Sequence, residues 1–341
     1  MNIKTPGRLL AGNQNIIAAS YDEFNRIPVD RDLRGQTGGA PRTAQQTIAQ
    51  GVTVSGQGTF SRKSVTTITF EPTGREGWWL DRTDQPNSLP VRVAIDNVWT
   101  TGSIVSNIVL RAGNPHNYVR MAEHIIALRM GMDIDNLMIK IDSGDPPLFE
   151  RGSLDLIEAL NRAGRKDVDR PIKYVTVKEP VTLGWSAGQF VTLAPPENKT
   201  PMLTIDAAVN FSTAIGQQRL TFPVTYENIL TGAEARTNTP YSKWIYCKTF
   251  GKIFADIRNL GYTDKNILIA RRSRYQNEPR LIYNGKSLEA IWHRSSLDLL
   301  AAIALIPDAR FVGEITSYKA GHRLDCDLIT QLYLHDLLEE L

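Results

Sequence analysis

The chain has 341 residues, enough for two domains with cores of their own, and a net charge of only +3, which gives no reason to expect nucleic acid as a partner. Apolar residues make up 42% of it and no low-complexity tract interrupts them, so a globular protein is expected. Its two cysteines, Cys247 and Cys326, supply neither a disulfide framework nor a CxxC metal pair and fit a reducing compartment. Residues 1–17 hold no unbroken apolar run, so neither a secretory signal nor a transmembrane segment is expected, and the protein reads as soluble and cytoplasmic.

Residues 1–43 are polar and rich in Gly, Asn, Arg and Pro, with Gln36–Pro41 as a linker, and read as an irregular N-terminal extension. Alternation begins at Val52 and Val54, turns at Ser55–Gly58, and continues as a period-two strand over Val65–Phe70; Val91–Ile95 reads as another strand. A helix is expected over Asn117–Met130, with Met121, Ile125 and Leu128 on one face and Gly131 as its stop. A strand, Leu137–Ile141, a turn at Gly144–Pro147 and a helix, Leu154–Ala163, capped by Ser153 and closed by Gly164, complete the first half.

The charged stretch Arg165–Arg170 separates a first domain, 44–167, from a second, 168–341. The second half repeats the order. Strands are expected at Lys173–Val177, Met202–Ala207 and Arg219–Val224, then helices near Ile253–Leu260 and over Ser287–Ile306, ended by Pro307. A strand, Phe311–Thr316, and a helix, Asp325–Leu341, close the chain. Strands followed by two helices, twice over, predict an α+β fold of two layered units packed face to face, with the site between them.

Two separated stretches carry candidate chemistry. Glu123 and His124 are neighbours on the first-half helix, so they point about 100° apart. Both reach one cleft if the helix edge lines it, with a metal-held water at His124 in range of Glu123. His293 and Asp298 form a zinc pair if they share a helix face. Four residues on a helix leave about 40° between side chains, but five leave about 140°; a π-bulge between them would restore convergence. His322 follows Gly321 on a loop, a setting that suits a general acid. Each of these, taken singly, is also what an ordinary packed or solvated histidine or carboxylate looks like.

Several stretches in the same order resemble the bacterial UDP-3-O-acyl-N-acetylglucosamine deacetylase family, the zinc enzymes of lipid A synthesis. They are Ser55–Phe60 with Ser61–Val65, Glu123-His124 followed by Ile134–Leu137, Pro147–Ser153, and above all Thr316–His322. The likeness spans about residues 42–341. It implies a two-domain α+β fold with zinc between the domains. It further implies Glu123 as general base, His124, His293 and Asp298 as zinc ligands, and His322 as general acid. Thr237 would hold the oxyanion, with Thr249 as the other candidate because the region carries an insertion. Lys319 and Arg294 would face the nucleotide phosphates, and the substrate would be a UDP-linked acylated N-acetylglucosamine or a related N-acyl amino sugar. The chain also departs from the family pattern. Its second ligand His and its Asp are five positions apart where the family has them four apart, so an ungapped alignment puts Arg294 at the ligand position. Ala302 stands where the family has an aspartate near the general acid, and Phe60 stands where it has a histidine. The Pro147–Ser153 segment gains a residue and has Arg151 before its glycine. A catalytically impaired paralogue that binds a sugar nucleotide or a protein partner is the rival reading.

Overall fold

The computed structural model describes residues 6–36, 41–60, 64–102, 105–197, 200–253 and 260–341. Two sheets organise it. A five-stranded sheet runs in the spatial order Val52–Gln57, Val65–Glu71, Leu137–Ile141, Trp78–Arg82, Val91–Arg92. Its pairs are antiparallel except Leu137–Ile141 against Trp78–Arg82. The alternation in Val65–Glu71 turns Ile68 and Phe70 into the core and leaves intervening residues half-buried, as a one-faced strand requires.

A seven-stranded sheet runs Arg8–Ala11, Val181–Gly184, Phe190–Ala194, Gly313–Tyr318, Leu203–Asn210, Gln217–Pro223, Arg31–Asp32. Its central strand, Gly313–Tyr318, leads to the loop before His322. Both edges come from the N-terminal segment, which is therefore not an irregular extension. Helix α1, Gln14–Arg26, links those edges. Asn13 Oδ1 caps it by accepting from the backbone of Asn15 and Ile16. It buries Ile17 and Phe24 against Phe190 and Tyr318, and removing each of these two side chains from water contributes about 1.5–3 kcal/mol.

The remaining helices lie with the sheets. Helices α2, Glu123–Ile126, and α3, Leu128–Gly131, come from the first half, as does α4, Leu154–Arg162. Helix α5, Tyr226–Gly232, follows in the second half, and so does α6, Tyr241–Lys248. There, Thr237–Pro240 pairs in parallel with Ile267–Ala270, giving a small βαβ unit. Then come α7, Glu289–His293, a π-helical turn, Arg294–Leu299, α8, Leu300–Ala304, and α9, His322–Leu334. α2 and α3 pack on α8, while α7 and α9 lie on the seven-stranded sheet. One continuous apolar core joins the two halves, so the α+β layered architecture is present.

Several boundaries differ from expectation. The helix expected from Asn117 begins at Glu123, because Tyr118–Val119 pairs with Leu110–Arg111 and Met121 takes φ 49°, a break no regular helix carries. Gly131 is the last residue of α3 rather than a left-handed cap. Its hydrogen is needed for contact, since a Cβ there would lie 2.9 Å from the Ile229 side chain. Gly164, at φ 66°, does close α4 in the left-handed conformation. The charged stretch Arg165–Pro171 is a strand pairing with Ala44–Ile48. The last helix begins at His322 and ends at Leu334; Leu338–Glu340 pairs with Tyr174–Val177 instead of extending it. Of the helix expected near Ile253–Leu260, residues 254–259 lie outside the described residues, as do 37–40 of the expected linker and 61–63 of the opening motif.

Candidate active site

α2 begins at Glu123, which is 1% exposed. Its Oε2 accepts from the backbone N–H of Ile108 at 2.8 Å, and its Oε1 lies 3.8 Å from His322 Nε2. Burial pushes this carboxyl up to about 7, against the pull of the His322 charge. His124 keeps some exposure, but enclosure of its ring, with His293 nearby, pushes it down to about 3, so the imidazole is neutral. The His124 and His293 ring centroids are 5.9 Å apart.

His293 is the last residue of α7 and is buried. Hydrogen bonding in the π turn runs from i to i+5, and the fifth residue comes back toward the first. Asp298 Oδ1 consequently lies 3.3 Å from His293 Nδ1 and 3.4 Å from His322 Nε2. Burial pushes the Asp298 carboxyl up, but His322, His293 and Arg294 outweigh it and hold it below the usual range. Burial lowers His293 and keeps it neutral. Asp298 Oδ1 is buried with no hydrogen-bond partner among the described residues, despite two imidazole nitrogens nearby. Among those residues no group of three or more His, Cys, Asp or Glu side chains is placed, as it stands, to hold a metal ion.

The strand Thr237–Pro240 brings Thr237 into the cluster, its Oγ1 3.0 Å from His293 Nε2. Arg236 anchors the strand from beneath. Its Nε donates to Glu289 Oε1 at 2.6 Å, both side chains are almost fully buried, and further bonds reach the carbonyls of Asp264 and Glu278. Thr249 is not part of the cluster; it is exposed, and its hydroxyl donates to Ile245 O within its own helix at 2.8 Å. Beside Thr237 lies a cavity of about 100 Å³ lined by Val105, Trp244, Cys247, Leu260 and Tyr262 among others.

The two cations expected at the phosphates are engaged elsewhere. Arg294 is buried, and its guanidinium donates to both oxygens of Asp325, at 2.6 Å to Oδ1, and to Ser317 Oγ at 3.0 Å. Lys319 Nζ lies 3.1 Å from Glu23 on α1. His322 Nε2 faces Asp298 and Glu123, while its Nδ1 is buried without a hydrogen-bond partner among the described residues. Ala302, buried in α8, offers no carboxylate. Glu289 and Asp325 escaped the sequence reading, because nothing local marks a carboxylate that pairs with an arginine 31 or more residues away.

The model of the UDP-3-O-acyl N-acetylglycosamine deacetylase family matches residues 45–334. The chain belongs to this deacetylase family. Its similarity to individual relatives is modest. A UDP-3-O-acyl-N-acetylglucosamine deacetylase of Syntrophus aciditrophicus is 25% identical over 84% of this chain and 85% of its own. One of Synechocystis sp. is 28% identical over 84% and 97%, and one of Campylobacter hominis 26% identical over 82% and 88%. The match excludes residues 1–44, so α1 and both edge strands lie outside the family segment of this deacetylase-family chain. No helix among the described residues is long and apolar enough to cross a membrane.

Proposed function

We propose that this protein hydrolyses the acetamide of a UDP-linked 3-O-acyl-N-acetylglucosamine, releasing acetate, as a zinc-dependent deacetylase of lipid A biosynthesis in the cytoplasm. The observation that carries the reading is the π turn between His293 and Asp298. It closes the five-residue spacing and sets Asp298 between two imidazoles. An impaired paralogue would have no need of such a turn, so the geometry favours catalysis.

His124, His293 and Asp298 would hold the zinc. The donor set fits: two neutral imidazoles, one ionised carboxylate, and a buried carboxylate oxygen with no hydrogen bond. Asp298 Oδ1 and His293 Nδ1 already stand 3.3 Å apart, and with His124 they would supply the zinc's ligands. When bound, such an ion polarises the amide carbonyl and makes a water molecule acidic.

The chain's own groups do the rest. Glu123 accepts the water proton; the Ile108 N–H fixes one of its oxygens and leaves the other toward His322. The Thr237 hydroxyl donates to the developing oxyanion. His322 Nε2 delivers a proton to the departing nitrogen, giving a free amine. The cavity beside Thr237 has an apolar wall of Val105, Trp244, Cys247 and Leu260, alongside Ser106, Asn238, Lys243 and Lys248, and that wall suits the acyl chain.

Elemental analysis of the unchelated protein tests this assignment. About one zinc per chain, lost in Asp298→Ala, is expected; no zinc after add-back to the folded protein would overturn it.

A further inference from the structure

The substrate's one anionic group is its diphosphate, and both cations expected to meet it are neutralised by carboxylates of this chain, Lys319 by Glu23 and Arg294 by Asp325. Arg120 is differently placed. Among the described residues no acidic side chain pairs with it and its Nε is buried without a partner. Its guanidinium lies over the Phe60 ring, 4.2 Å from the centroid, with the Tyr118 ring at 5.8 Å.

Arg120 also adjoins the site in the chain. It precedes Glu123 by three residues, and its backbone N–H donates to Gly144 O at 3.0 Å. Phe60 packs against the cluster of Met121, Cys247, Leu260 and Tyr262, and the last three of these line the cavity beside Thr237. A second guanidinium with no carboxylate partner among the described residues continues the row: Arg111 lies 4.5 Å from the centroid of Trp99, which is 52% exposed and stands 6.1 Å from Tyr118.

We infer that Arg120, held flat on Phe60, receives the diphosphate of the substrate. The inference rests on the UDP-sugar reading above and deepens it. A guanidinium fixed by stacking loses little freedom on binding and presents its N–H fork to phosphate oxygens. Phe60, in place of the family's histidine, supplies the platform. This moves phosphate recognition from the Lys319 loop to the edge of the first half.

The test measures binding of UDP and of uridine to the zinc-loaded protein by calorimetry, with Arg120→Gln and Phe60→Ala, after thermal melting has shown both variants folded. UDP affinity should fall about ten- to a hundredfold in Arg120→Gln, the range for a charge-assisted contact, with uridine affinity unmoved. Phe60→Ala should give a smaller loss in the same direction. UDP binding unchanged in Arg120→Gln, or equal losses for UDP and uridine, would overturn the inference. Acetate release is followed in parallel. Wild-type turnover with Arg120-independent UDP binding would leave the hydrolase reading standing while this inference fails. Absent turnover with Arg120-dependent UDP binding would do the reverse.

Discussion

Asp298 follows His293 by five residues, yet its Oδ1 lies 3.3 Å from His293 Nδ1 because the helix winds as a π turn between them. A regular α-helix would leave the two about 140° apart. The approach of the two proposed ligands thus depends on one extra residue accommodated by the backbone. Asp298→Asn keeps the shape and removes the charge. It should abolish zinc retention and lower turnover by about a thousandfold or more, while circular dichroism stays unchanged. Full zinc content in this variant would remove Asp298 from the ligand set.

Two threonines compete for the oxyanion on sequence grounds, and their hydroxyls have different surroundings. Thr237 Oγ1 touches His293, whereas Thr249 spends its hydroxyl on its own helix. Thr237→Val should lower kcat by about 10²–10³-fold, the range for losing one oxyanion donor. Thr249→Val should leave kcat within twofold of wild type, about the effect of an uninvolved surface change. Steady-state kinetics of both variants checks the assignment.

Arg294 and Asp325 form a buried pair next to the ligand turn, both less than 5% exposed. Removing one partner leaves the other charge buried and uncompensated. Asp325→Ala and Arg294→Ala should each cost about 3–5 kcal/mol in urea unfolding, and an apolar double replacement should recover much of that loss. An effect below about 1 kcal/mol in either single variant would mean that water reaches the pair.

Glu23 is held below its usual range by a hydrogen bond from Tyr318, opposed by burial and assisted by Lys319. A carboxyl whose folded pKa is depressed contributes stability that is present above its unfolded value, 4.5, and is lost as pH falls through the folded value. Docking of α1 should therefore weaken below pH 4.5 before the core unfolds. Hydrogen exchange of residues 14–26 at stepped pH reads this directly. Glu23→Gln should flatten the dependence.

The parts of the fold with strong periodicity were legible in the sequence. Val65–Glu71 alternates, α4 carries its glycine stop, and the spacing of His293 and Asp298 itself called for a helix irregularity. The N-terminal segment was not read as structured. Its signal is sparse, Asn13 as a cap and two core residues, Ile17 and Phe24, one heptad apart. The surroundings of Lys319 and Arg294 were hidden for a different reason. Their charge was visible, but their partners, Glu23 and Asp325, sit 296 and 31 residues away, and only the folded chain brings them together. Nothing in the sequence marks Arg120, because the absence of an acidic partner among the described residues is a property of the fold.

The most direct measurement is acetate release from UDP-3-O-acyl-N-acetylglucosamine by the purified protein, before and after chelation and zinc add-back. The account predicts turnover that disappears on chelation and returns with zinc. It also predicts a fall of about 10²–10⁴-fold in Glu123→Gln and His322→Ala, both still folded. No acetate from the zinc-loaded protein, or near-normal turnover in both variants, would contradict it.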